Sequence, residues 1–178
     1  MQFKRVVFLG SGARFGAARE ASLKVLEMTA GQVAAMAETY LGLRHGPMSY
    51  VHPDTLVVCF LSSDAVVKAY ECDLMRELDQ KNLGMLKVIV GDGVPSDIVS
   101  EQDIVIECPG LATVGDDAAP VIDVAVGQLL GFFCCLREGL RPDSPSESGV
   151  INRVVQSFKL HFPDGFSQDG DDSSGDRS

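Results

Sequence analysis

The chain has no basic run. Lys and Arg number 15 against 25 Asp and Glu, giving a net charge of −10. No cluster of cations is long enough to neutralise a phosphate backbone, which argues against nucleic acid as a partner. No C-x-x-C pair is present either: Cys59, Cys72, Cys108, Cys134 and Cys135 are odd in number and stand in apolar runs or singly. That pattern reads as unpaired, buried thiols in a reducing cytosol, so a cytoplasmic location is expected. Histidines are few, three in all, and no cysteine or second histidine stands at metal-ligand spacing, so no metal is expected. The apolar run at the amino terminus, Val6–Leu9, stops after four residues at Gly10, too short for a signal h-region. The longest apolar stretch, residues 120–136, is broken by Asp123 and Gln128 and falls short of the roughly 20 residues that span a bilayer. A soluble protein without membrane contact is expected.

What remains is the balance of one globular domain: 178 residues, 46% hydrophobic and 22% charged, enough to bury a sizeable core. Short apolar runs alternate with amphipathic stretches. "RVVFLG" at 5–10, "VAAM" at 33–36, "TLVVCFL" at 55–61, "LKVIVG" at 86–91 and "DIVIEC" at 103–108 read as strands. Helices are expected over 14–30, over 65–80 with Asp64 as its cap, and over 119–140. Strands that are apolar throughout, rather than alternating, belong to a parallel sheet covered on both faces. The expected fold is therefore α/β: a doubly wound, flavodoxin-like layer with a five-stranded parallel sheet. The domain is placed at residues 1–141, followed by a connector and carboxyl-terminal segment at 142–162 that packs on it. Residues 163–178, with five Asp and one Arg, read as a disordered acidic tail. In such folds ligands bind at the carboxyl ends of the strands, near the switch in strand order.

Four constellations could carry chemistry. "GSGARFG" at 10–16 follows a strand and opens a helix, as a phosphate-binding turn does. Its G-x-G-x-x-x-G spacing is not the dinucleotide fingerprint, and close helix–strand packing alone asks for the same glycines. Glu20, Lys24 and Glu27 share one stripe of the first helix, where Lys24 can pair with both carboxylates. The stripe is a solvated row of ion pairs unless it faces a cleft. His45 sits in "LRHGPMSY", able to exchange a proton near neutral pH, or simply a polar loop residue. Ser62 and Ser63, in "LSSD", are cap residues or hydroxyls for a phosphate or sugar. The helix at "VIDVAVGQLLGFFCCL" is apolar almost all round, so more than one side of it must be covered.

In order, "FLGSG", "LKVLEMTAG", "RHGPMS", "VVCFLSSD" and "NRVVQ" resemble the sugar isomerase (SIS) domain. More narrowly, residues 4–161 resemble the second of the two such domains in the tagatose-6-phosphate ketose/aldose isomerase and aminosugar-6-phosphate deaminase family. The resemblance implies proton transfer between C1 and C2 of a hexose 6-phosphate, with deamination where the sugar carries an amine, and no metal or organic cofactor. It implies Glu27 as the C1/C2 base and His45 as the ring-opening acid/base. Ser11, Arg14, Arg44, Ser62 and Ser63 are then the substrate contacts. The more distant glucosamine-6-phosphate synthase isomerase domain has lysine where this chain has Arg44, and two fewer residues between glutamate and histidine. In two-domain relatives the phosphate-clamping loop belongs to the first domain. The implied partner is accordingly a second SIS domain or a copy of this chain in a homo-oligomer. The other readings are a non-catalytic sugar-phosphate-binding module and, from the glycine turn, a nucleotide-binding domain.

Overall fold

The computed structural model describes residues 3–144, 149 and 161. Five strands, β1 (Arg5–Leu9), β2 (Ala34–Glu38), β3 (Thr55–Phe60), β4 (Leu86–Gly91) and β5 (Ile104–Glu107), form one sheet. Their order is β2-β1-β3-β4-β5, and every pair is parallel. The helices are α1 (Ala13–Met28), α2 (Tyr40–Leu43), α3 (Ala65–Gln80), α4 (Leu111–Val114) and α5 (Pro120–Arg137). The expected doubly wound α/β fold is present, with its switch point between β1 and β3.

The strands form because nearly every residue is apolar and both faces are covered. In β1 and β3, Val6, Phe8, Leu56, Val58 and Phe60 face α1, with Val124, Val126 and Leu130 of α5 packed alongside. Val7, Leu9, Val57 and Cys59 face α2 and α3 through Tyr40, Leu43, Leu74, Met75 and Leu78. Each such side chain contributes about 1.5–3 kcal/mol on burial. Asp64 caps α3 as expected, accepting from Val66 N and Val67 N at 2.9 Å each.

Boundaries moved where local signals were weak. β2 runs on to Glu38, because its small residues, AAMAE, carry no β-branched pattern to mark an end. α5 stops at Arg137, where Gly139 takes φ 74° and Leu140 N returns to Cys135 O, an ordinary glycine-terminated helix end. The expected packing of residues 142–162 and the tail at 163–178 lie almost wholly outside the described residues. Among the described helices, α5 alone is long and apolar enough to cross a membrane. Here it lies against α1 and buries Asp123 completely.

Candidate functional site

Two loops meet at the carboxyl edge of the sheet beside the switch point: residues 10–12 after β1 and 61–64 after β3. Gly10 is required there by packing, since a Cβ would stand 2.6 Å from the carbonyl oxygen of Arg14. The glycine turn thus lets α1 close onto the strand.

Arg14 does not take the place expected of a substrate contact. It is wholly buried and forms a two-pronged ion pair with Asp123 of α5, Nε to Oδ2 at 2.8 Å and Nη2 to Oδ1 at 2.7 Å. The same guanidinium donates to the carbonyls of Leu61 and Val90. Position in the first turn of α1 aims it inward, over the ends of β3 and β4, where carbonyls need donors. With its donors engaged in the interior, it is a tie between sheet, α1 and α5.

Ser62 is buried and Ser63 half-buried. The Ser62 hydroxyl donates to Asp116 Oδ2, and Ser63 N donates to Asp116 Oδ1 at 2.8 Å. Ser62 N donates to Glu71 Oε2 at 2.7 Å. Glu71, on α3, is 1% exposed, and its other oxygen, Oε1, meets no donor in hydrogen-bond geometry. Burial pushes the Glu71 carboxyl up to about 7, although nearby Ser11, the Ser62 amide and Arg14 favour its charge. Burial also works against the Asp116 charge, yet hydrogen bonds from Ser62 and Ser63 hold its carboxyl below the ordinary range. Ser11 itself is half-buried in the first loop.

Glu27 is elsewhere. α1 returns the chain between parallel strands, so its last turn lies toward the amino-terminal edge. Fourteen residues of helix separate Glu27 from Ala13, about 20 Å at 1.5 Å per residue. Its side chain is 34% exposed and pairs with Lys24 at 2.7 Å, while Lys24 reaches Glu20 at 3.6 Å. The Glu27 hydrogen bond is the main reason the Lys24 ammonium is raised above its usual range. A groove of about 600 Å³ runs between α1 and the edge strand β2, lined by Phe15, Arg19, Glu20, Leu23, Leu26 and Ala37. Of the charged stripe, only Glu20 lines it.

His45 is exposed and follows α2, on the opposite face of the sheet from α1. Arg44 pairs with Glu77 near the end of α3 at 2.8 Å, which also sets this segment toward the amino-terminal edge. The expected residues therefore fall into three groups: Ser11, Arg14, Ser62 and Ser63 at the carboxyl edge, Glu27 on one face, Arg44 and His45 on the other. The fold of one chain does not bring Glu27 and His45 together.

Glu71, Asp116 and Asp123 escaped the sequence reading as members of the carboxyl-edge cluster. A signal existed for two of them. Glu71 shares the helix face of Leu74, Met75 and Leu78, and Asp123 interrupts an apolar helix; an ionisable residue on an apolar face needs a buried partner. Asp116 lies in a short loop that gives no such sign. Among the described residues, no three His, Cys, Asp or Glu side chains group as metal ligands, and all five cysteines are free.

Comparison with known proteins matches the chain to a family model, a curated relative and two solved structures. A model of the SIS domain matches residues 1–130. D-galactosamine-6-phosphate deaminase AgaS of Escherichia coli O157:H7 is 42% identical over 159 residues, which is 89% of this chain and 41% of that protein. Among solved structures, tagatose-6-phosphate ketose/aldose isomerase from Escherichia coli superposes with a TM-score of 0.73 at 39% identity, over 82% of this chain and 39% of that one. The C-terminal domain of glucosamine-fructose-6-phosphate aminotransferase from Francisella tularensis shares the fold, with a TM-score of 0.67 at 24% identity over 80% of this chain and 38% of its own. The chain thus spans about two fifths of the length of the first two relatives.

Proposed function

The chain belongs to the SIS domain family, and from that premise we propose that it is one half of a sugar-phosphate isomerase unit. The reaction is interconversion of the aldose and ketose forms of a hexose 6-phosphate, with release of ammonia where the substrate is an aminosugar 6-phosphate. Glu27 carries the proton between C1 and C2, and His45 exchanges the ring-oxygen proton on ring opening. A carboxylate over adjacent carbons and a second group to move the ring-oxygen proton are what such chemistry needs. Ser11 and Arg44 are the further residues assigned to substrate; Ser62 and Ser63 are engaged by Asp116 in the present state. An anionic sugar phosphate is retained by a bilayer, so the same reading places the chain in the cytoplasm.

The observation that carries this reading is the 42% identity, over 89% of the chain, to a galactosamine-6-phosphate deaminase. The separation of Glu27 from His45 adds a condition: the active site is completed by a second SIS half or a second copy. Val121, Leu129, Phe133 and Leu136, all exposed on α5, supply an apolar face suited to such a partner.

The test supplies the missing half. The chain is co-expressed with the amino-terminal part of a full-length family member. It is then assayed on galactosamine 6-phosphate for ammonia and on tagatose 6-phosphate or fructose 6-phosphate for isomerised product. Wild type is expected to turn over. E27Q is expected to lose about 10²–10⁴-fold in rate while sugar phosphate still raises the melting temperature. Turnover of E27Q at the wild-type rate would remove Glu27 from the chemistry. The scattered placement of the site residues favours one second reading, a non-catalytic sugar-phosphate-binding module. Binding without turnover in every combination would establish that instead.

A further inference from the structure

On the face of the sheet that α1 and α5 cover, the cover stops part-way across. Leu56 and Val58 of β3 are buried, Leu86 and Val88 of β4 are half-buried, and Ile104 of β5 is 51% exposed. These side chains share one face, because directions alternate along a strand and Val88 stands in register with Ile104. On the opposite face β4 is closed, with Lys87 and Ile89 buried. α5 walls the open strip. Its Val126 and Leu130 pack toward the sheet, and Phe133, one turn on from Leu130, continues their stripe at 61% exposure. The result is an apolar trough, with Leu86, Val88 and Ile104 as its floor and Phe133 as its wall. A parallel sheet is covered on both faces, so among the described residues one element's width of cover is missing here.

The sequence beyond the described domain has the pattern such a trough takes. Val150, Ile151, Val154, Val155, Phe158 and Phe162 recur at helical spacing, with Asn152, Arg153, Gln156 and Lys159 between them. At 1.5 Å per residue the stretch 150–162 amounts to about 20 Å, which is the length of the six-residue β4 at about 3.3 Å per residue. The connection is long enough. α5 ends with Arg137 over the Phe3 ring, just ahead of β1, and the turn closed by Arg141 and Ser144 follows. From Ser144 to Val150 the backbone extends up to about 20 Å. β4 and β5 lie two and three strands from β1, about 10 and 15 Å away. Charge agrees as well. Residues 150–162 hold Arg153 and Lys159 and no acid, in a chain of net −10, and the exposed Glu101 and Glu107 flank β5.

We propose that residues 150–162 dock by their apolar stripe into the trough between α5 and strands β4 and β5, completing the layer from within the same chain. Phe133 is then covered by the chain itself, while Val121, Leu129 and Leu136 stay on the outward side of α5 for a partner half. This docking is independent of the isomerase chemistry, and turnover does not report it.

The chain contains no Trp, so F158W places a single indole on the stripe of the full chain. Its fluorescence is read against free tryptophan amide in the same buffer. F158W is expected to emit to the blue of the free amide and to resist acrylamide quenching, equally at every protein concentration. Adding I104K, on the trough floor, is expected to move the emission to that of the free amide. Adding V121K, on the outward side of α5, is expected to leave it in place. F133K makes the same test from the wall and serves if I104K does not fold. Emission of F158W at the position of the free amide would overturn the proposal, as would blue emission that neither I104K nor F133K shifts. Blue emission that reddens on dilution would overturn it too, since a second copy would then be supplying the cover.

Discussion

At the scale of single residues, Glu71 is the group whose environment most alters its chemistry. Burial is the main cause of its rise, from an ordinary 4.5 to about 7. A carboxyl raised in this way binds more protons folded than unfolded between those two values, so folding stability falls as pH rises through that interval. The contribution is fully present below about pH 4.5, is lost by about pH 7, and is level beyond. At about 1.4 kcal/mol for each pH unit, the effect is on the order of 3 kcal/mol. In E71Q the amide oxygen can still accept from Ser62 N, and the titration is gone. The urea midpoint of wild type should therefore drop between pH 5 and pH 7 more steeply than that of E71Q, with E71Q the more stable at pH 8. Parallel pH profiles for the two proteins would show that Glu71 ionises normally. Arg14 shows the other side of residue-scale reading. Its place after a glycine turn suggests a ligand contact, and only its full burial on Asp123 reveals it as a tie.

At the scale of elements, the contact between α1 and α5 decides how the upper layer packs. A Cβ on Gly127 would stand 2.4 Å from the Ala21 Cβ, and one on Gly131 would stand 3.3 Å from the carbonyl oxygen of Lys24. Helix propensity alone would favour G127A by about 1 kcal/mol. Overpacking costs about 1–3 kcal/mol, and the close approach makes that the larger effect. G127A should lower the urea-unfolding free energy, and A21G in the same chain should recover part of the loss. A G127A protein as stable as wild type would mean that the two helices part at little cost. The strands and long helices were legible to within a few residues, because each is a continuous apolar run or an amphipathic stretch with clear punctuation. β4 matched end to end. α2, α4 and the 3₁₀ turns were not legible, because four residues carry no period, and a local bond such as Gly42 N to Thr39 Oγ1 sets them.

For the whole molecule, the decisive geometry is the sheet standing between Glu27 and His45. If each active site takes Glu27 from one subunit and His45 from another, E27Q and H45N will each be inactive in the assembled enzyme. Mixing them under subunit exchange should restore activity, to about a quarter of wild type for random pairing in a two-fold dimer. No recovery from a mixture shown to contain hybrid oligomers would place both groups in one subunit's site. By itself the sequence determined the layer architecture, the strand order class and the candidate residues, since apolar runs, turn residues and the ordered family motifs are local and need no knowledge of distance. Only the tertiary structure decided which candidates meet. A parallel sheet sends each returning helix to one face or the other, so residues eighteen positions apart end on opposite sides. Residues more than fifty positions apart, Ser62 and Asp116, end in contact, because the loops at one edge of the sheet are gathered there whatever their separation along the chain.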